Sequence, residues 1–142
     1  MSLELAPVEY ADLNSRQKEN YNYHKLSAVL ADYGFTTLRL TDDWDGADFL
    51  APHVDGETLL RVQLKGRLTF AQSYVGKSLH VGFPYEGSWY LYPHDSVLEA
   101  VLTETSVGET ASWQEKGGYS FPGLSARMRD LLKPYRIGYA AS

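Results

Sequence analysis

The chain has 142 residues, 44% of them hydrophobic, enough for one domain to bury a single core without staples. It has no cysteine, which excludes disulfides and thiolate metal sites, and its net charge of −5 argues against a purely electrostatic nucleic-acid binder. Its opening, MSLELAPVEYADLNSRQKEN, lacks a basic region followed by an apolar run, and no later segment approaches the ~20 apolar residues of a membrane helix. A soluble cytoplasmic protein is the expectation, with no membrane partner.

Along the chain, Asn14 followed by Gln17 offers a helix cap with its reciprocal partner, and Tyr23, Leu26, Leu30 and Tyr33 recur at helical spacing until Gly34. The spacing predicts a first helix over about 15–33. Residues 35–40 are apolar and β-branched enough for a strand, 47–51 for a short second strand, and 58–70 contain a longer third; 79–83 and 89–92 read as two more. Asp42, Asp43 and Asp45 form an acidic loop before the second strand. Asp95 is placed to cap a short helix carrying Val97, Leu98, Val101 and Leu102. The Gly-rich stretch 106–122 reads as loop or irregular strand. Leu124, Met128, Leu131 and Leu132 mark a last helix that Pro134 should stop. With no repeat and no linker, the order describes one mixed α/β (α+β) domain spanning 1–142, with helices on a central sheet of about five strands.

Between the second and third strands lies Asp55-Gly56, the pair favoured at the centre of a tight two-residue hairpin turn. Such a turn sets residues opposite each other whose numbers sum to 111, so Asp48 faces Gln63, with Cβ atoms about 5 Å apart. Strand alternation puts Arg61, Gln63 and Lys65 on one face and Leu60, Val62 and Leu64 on the other. Pro52 is the residue that could bulge the hairpin or lengthen its turn. Glu19 shares the helix stripe of Tyr23, Leu26 and Leu30, so it should face the sheet and needs a partner, a metal ion or the guanidinium of Arg39 or Arg61. The four histidines, His24, His53, His80 and His94, lack metal-ligand spacing and read as structural or exposed.

The stretch GADFL, a short turn and LLRVQLKGR resembles the PD-(D/E)XK nuclease superfamily, restriction endonuclease-like in fold, in the branch where glutamine replaces the acid before x-K (QxK). Trp89-Tyr90-Leu91-Tyr92-Pro93 looks like the last core strand of small intron-associated and restriction-type members. The likeness covers about residues 14–103 and leaves the segment 104–142 outside it. It implies Asp48, Gln63 and the Leu64 carbonyl as ligands to Mg²⁺ or Mn²⁺, Lys65 as the residue that orients or deprotonates the attacking water, and Glu19 as a helix acid holding a metal-bound water. The implied activity is a metal-dependent endonuclease hydrolysing phosphodiester bonds in DNA, as a homodimer if both strands are cut.

Arg61, Arg67, Lys77, Arg127 and Arg129 are candidate nucleic-acid contacts. Proline is absent before Asp48, and the neutral Gln63 should lower metal affinity. An exposed polar strand face with cross-strand pairing would show the same three residues; the family pattern, the turn arithmetic and the apolar opposite face together favour the nuclease site. The alternative is a catalytically inactive nuclease-fold module that binds nucleic acid or protein.

Overall fold

The computed structural model describes residues 3–138, the side chain of Asp43 excepted. The first helix, α1 (Ser15–Asp32), begins at the expected capping box: the Asn14 side chain accepts from Gln17 N–H at 2.8 Å and Gln17 Oε1 accepts from Asn14 N–H at 2.9 Å. The strands that follow are β1 (Leu38–Trp44), β2 (Ala47–Pro52), β3 (Leu59–Leu64), β4 (Thr69–Ala71), β5 (Leu79–Tyr85) and β6 (Ser88–Pro93). Then come α2 (His94–Glu104), β7 (Gly118–Ser120), α3 (Ala126–Leu132) and β8 (Arg136–Ile137).

Six strands form one sheet in the order β1-β2-β3-β5-β6-β8; β3 and β5 are parallel and the other neighbours antiparallel. β4 and β7 pair separately. On one sheet face α1 sets Tyr23, Leu26 and Leu30 against Phe49, Ala51, Val62 and Trp89. On the other, α2 and α3 bury Val97, Leu98, Val101, Met128 and Leu132 against Val81, Phe83, Tyr90 and Tyr92. This is a mixed α+β architecture, a mixed sheet flanked by helices. The segment beyond Glu104 contributes Val107, Trp113 and Leu124 to the second core cluster.

Close approach of α1 to the sheet depends on Gly82, where a Cβ would lie 2.6 Å from Leu26 Cδ2. Tyr92, buried on β6, donates its hydroxyl to the Thr69 carbonyl and so ties β4 to the main sheet; burial pushes its phenol up. His94 is fully buried, and its Nε2 accepts from Ala71 N–H at 3.1 Å. That acceptor role puts the ring proton on Nδ1, which donates to Asp95 Oδ1 at 2.8 Å, while Asp95 Oδ2 accepts from Gly76 N–H at 2.9 Å. Partial burial alone would raise the Asp95 carboxyl, but the bonds from His94 and Gly76 hold it below the usual range. Asp95 therefore pins the β4–β5 loop instead of capping α2, whose cap position is Pro93.

Several boundaries differ from the sequence-based expectations. The long third strand is broken: β3 ends at Leu64, and Thr69–Ala71 turns away to pair with β7. The first strand lies later than expected and runs through Asp42 and the backbone of Asp43 to Trp44, so most of the acidic loop is an edge strand. α3 stops at Leu132, and Pro134 then sits early in the 3-10 turn Lys133–Tyr135, which delivers β8, the unforeseen sixth strand. Among the described residues no helix is long and apolar enough to cross a membrane.

The two Asp-Gly pairs exchange roles. Asp45 and Gly46 have φ of 54° and 85°, as a type I′ turn requires, and join β1 to β2. Asp55-Gly56 instead centres a longer loop closed by His53 N–H to Thr58 O at 2.9 Å. Asp55 stays at negative φ because its carboxylate is committed locally, Oδ1 accepting from the N–H of Glu57 and Thr58, both at 2.8 Å, and Oδ2 from the Thr58 hydroxyl at 2.6 Å. The extra residues are added equally on both sides, so the register survives: Phe49 faces Val62, Leu50 faces Arg61 and Pro52 faces Leu59.

Those bonds, the Thr58 hydroxyl foremost, hold the Asp55 carboxyl far below its ordinary range. A depressed folded-state pKa contributes stability above the unfolded value and loses it as pH falls through the folded one. Wild-type protein is therefore expected to weaken as pH drops below about 4, and Asp55→Asn to show a shallower acid-side slope. Urea midpoints of the two proteins at pH 7, 4 and 3 check this; parallel slopes would contradict it.

Candidate active site

The three proposed reactive residues lie at the end of the β2–β3 ladder. The last backbone pair there is Phe49 with Val62; one step further Leu64 N–H donates to the Asp48 carboxylate, Oδ2, at 2.8 Å. The carboxylate thus takes the place of a main-chain acceptor, which fixes Asp48 beside β3. Gln63 Nε2 donates to the Leu64 carbonyl at 3.4 Å, a long bond. Asp48, Gln63 and the Leu64 carbonyl therefore converge on one residue of main chain. Alternation holds as well: Val62 is buried under α1, with Leu60 and Leu64 packed against the same cluster.

Lys65 follows on the face of Gln63, with its N–H on Gly82 O at 2.9 Å, but its ammonium sits over the Tyr74 ring, 5.7 Å from the centroid. A groove of about 790 Å³ opens beside Asp48, lined also by Glu19, Arg39, Asp42, Leu64 and Tyr23. Gln63 and Lys65 are outside that lining. Glu19 reaches the groove and meets Arg39 Nη2 at 3.8 Å, yet its side chain is 59% exposed, so it does not sit on a buried stripe facing the sheet as its spacing with Tyr23 predicts. An ion pair this open contributes about 0–1 kcal/mol.

The sequence offers Arg39 only as a possible partner of Glu19. Its guanidinium also lies 4.8 Å from the Tyr23 ring centroid, which places it in the groove between α1 and β1. Its pairing opposite Phe49 puts it on the α1 side of the sheet, a position that depends on the β1–β2 register. Asp42 lines the groove, Asp45 approaches Arg61 at 4.0 Å, and the Asp43 side chain lies outside the described residues.

The basic candidates divide. Arg61 stacks on Trp44, its guanidinium 4.9 Å from the ring centroid, and Lys77 lies against the β1–β2 turn at Gly46. Arg67 is exposed just beyond Lys65. Arg127 donates to the Glu104 carbonyl. Arg129 is held by Glu86 through two bonds of 3.0 Å and by the Tyr85 hydroxyl at 3.2 Å, a bidentate pair that keeps the Glu86 carboxyl low. Both C-terminal arginines thus bind the chain itself. Of the histidines, His94 is the buried strut described above; His80 has its Nδ1 buried without a hydrogen-bond partner, and burial lowers its pKa.

A hard divalent cation takes oxygen donors, and Mg²⁺ is commonly held by one or two carboxylates, with water and substrate phosphates completing its shell. One carboxylate, one carboxamide and one carbonyl gathered at Leu64 fit that demand once the Gln63 amide turns its oxygen toward the ion. Among the described residues no three His, Cys, Asp or Glu side chains converge as a metal site. The donor set therefore carries a single formal charge.

No family model matches the chain, and no curated protein matches it. Among solved structures it is similar to Archaeoglobus fulgidus Hjc, a Holliday junction resolvase from an archaeal hyperthermophile, with a TM-score of 0.44 and 18% identity over 54% of this chain and 72% of that one. So distant a likeness leaves the site to stand on its own geometry.

Proposed function

We propose that the protein is a metal-dependent endonuclease of the PD-(D/E)XK type in its QxK form, similar to the small intron-associated members and hydrolysing phosphodiester bonds in DNA. The observation that carries this reading is the convergence of Asp48, Gln63 and the Leu64 carbonyl at the open end of the β2–β3 ladder, with Lys65 next in line. Asp48, Gln63 and Leu64 would hold Mg²⁺ or Mn²⁺, which supplies polarisation of a phosphodiester oxygen and a lowered pKa for the attacking water.

The chain's own groups do the rest. Asp48 is held in place by Leu64 N–H, so its carboxylate is ordered before substrate arrives. Lys65 leaves the face of Tyr74, a half-buried contact of about 0.5–2 kcal/mol, to donate to the phosphate and orient the water. Glu19, tethered by Arg39, accepts from a water in the groove. A dimer is expected if both strands are cut.

The test is incubation of the purified protein with plasmid, branched and single-stranded DNA in Mg²⁺ or Mn²⁺. Cleavage is expected, and Lys65→Ala should slow it by about a hundredfold; full activity in that variant, or no cleavage of any substrate, would refute the reading. The single charge of the donor set, with the Gln63 amide presenting its NH₂ to Leu64 O, favours a second reading: a nuclease-fold module that binds nucleic acid or protein without cutting. Such a module binds no Mn²⁺ through Asp48.

A further inference from the structure

One patch runs against the acidic net charge. The β1–β2 turn bends over the polar side of β3: a Cβ on Gly46 would lie 2.9 Å from Leu79 Cδ1 and 3.8 Å from both Tyr74 Cδ1 and Lys77 Cδ. Just before this turn Trp44 keeps 51% of its surface in solvent, whereas Trp89 and Trp113 keep 7% and 9%. Arg61 covers one aromatic, Trp44, at 4.9 Å, and Lys65 covers another, Tyr74, at 5.7 Å. Lys77 stands beside the turn and Arg67 follows Lys65, while Asp45 meets Arg61 at 4.0 Å. Arg61 and Gln63 are two residues apart on one face of β3, about 7 Å, so the patch leads directly to the proposed metal ligands.

Aromatic faces interleaved with cations are what an unpaired nucleic-acid strand requires: bases stack on the rings and phosphates pair with Arg and Lys. A continuous duplex keeps its base faces stacked internally and offers Trp44 nothing to stack on. We propose that Trp44, flanked by Arg61, Lys65 and Lys77, is a stacking platform for an unpaired strand, so that the substrate is a single-stranded or splayed nucleic acid held next to Asp48. The substrate role of that strand rests on the nuclease reading; the platform itself is measurable by binding alone.

The experiment measures, in EDTA, fluorescence anisotropy of a labelled single-stranded DNA, a single-stranded RNA of the same sequence, a splayed-arm duplex and a blunt duplex, with tryptophan emission followed in parallel. Single strands of either sugar and the splayed arm should bind tighter than the blunt duplex and quench tryptophan. Trp44→Ala should weaken single-strand binding about tenfold or more and abolish the quenching, Trp44→Phe should restore most of the affinity, and blunt-duplex binding should not move. Single-strand affinity unchanged in Trp44→Ala, an equal loss for the blunt duplex, or no oligonucleotide binding at all would overturn the platform. Binding through Trp44 without any cleavage in Mn²⁺ sinks the nuclease reading and leaves the platform standing; cleavage indifferent to Trp44 does the reverse.

Discussion

Asp48→Asn is expected to lower Mn²⁺-dependent cleavage by about a thousandfold while leaving the fold intact. Asparagine is isosteric, and its carbonyl oxygen still accepts from Leu64 N–H, so the end of the β2–β3 ladder keeps its geometry. What disappears is the single negative charge of the donor set, and with it the electrostatic attraction for a divalent ion that the neutral Gln63 amide and Leu64 carbonyl cannot replace. The bond to Leu64 changes from charge-assisted to neutral, which costs about 1 kcal/mol. Circular dichroism and a urea titration should therefore be near wild type in the variant whose cleavage is lost. Retained cleavage would remove Asp48 from the chemistry.

The largest stability effect is expected one residue further on. Phe49 is fully buried between α1 and the sheet, edge-on to Tyr23 with ring centroids 5.2 Å apart and opposite Val62. Phe49→Ala removes that ring from a close-packed site where α1 and β2 meet, and the expected loss is about 3–5 kcal/mol. Against a total of about 5–15 kcal/mol for a domain, the urea midpoint should fall by about a fifth or more with an unchanged slope. A loss below about 1 kcal/mol would mean that α1 does not rest on β2 as described.

The parts legible in the sequence were those set by short-range rules. Asn14 and Gln17 cap α1 because both partners lie within one turn, and alternation along β3 separates Val62 from Gln63 without reference to anything distant. The β2–β3 register was reached through a turn that does not form. It survived because the real loop is symmetric about the same centre, with His53 and Thr58 closing it. The Asp45-Gly46 turn is not legible in the sequence because the acidic residues before it read as solvated loop. An exposed edge strand shows no alternation to announce itself.

The break after Leu64 and the two-residue β8 are tertiary outcomes. Thr69–Ala71 is drawn off by Gly118–Ser120, about fifty positions away, and β8 forms only where Arg136 and Ile137 meet Tyr90 and Trp89. Within the site, the convergence on Leu64 was implied by the family resemblance and the register. That Asp48 would be locked by Leu64 N–H, that Lys65 would lean on Tyr74, and that Arg39 would stack on Tyr23 in the groove required the structure. Each depends on how elements distant in sequence are placed against one another, which a pattern of residue types does not encode.

The endonuclease reading requires that Asp48, the Leu64 carbonyl and Gln63, its amide turned, hold a divalent ion. Titration of Mn²⁺ into the protein without nucleic acid, followed calorimetrically, addresses it directly. One weak site is predicted in the wild type and none in Asp48→Asn; Mn²⁺ binding that is absent from the wild type, or equal in the two proteins, would contradict the account.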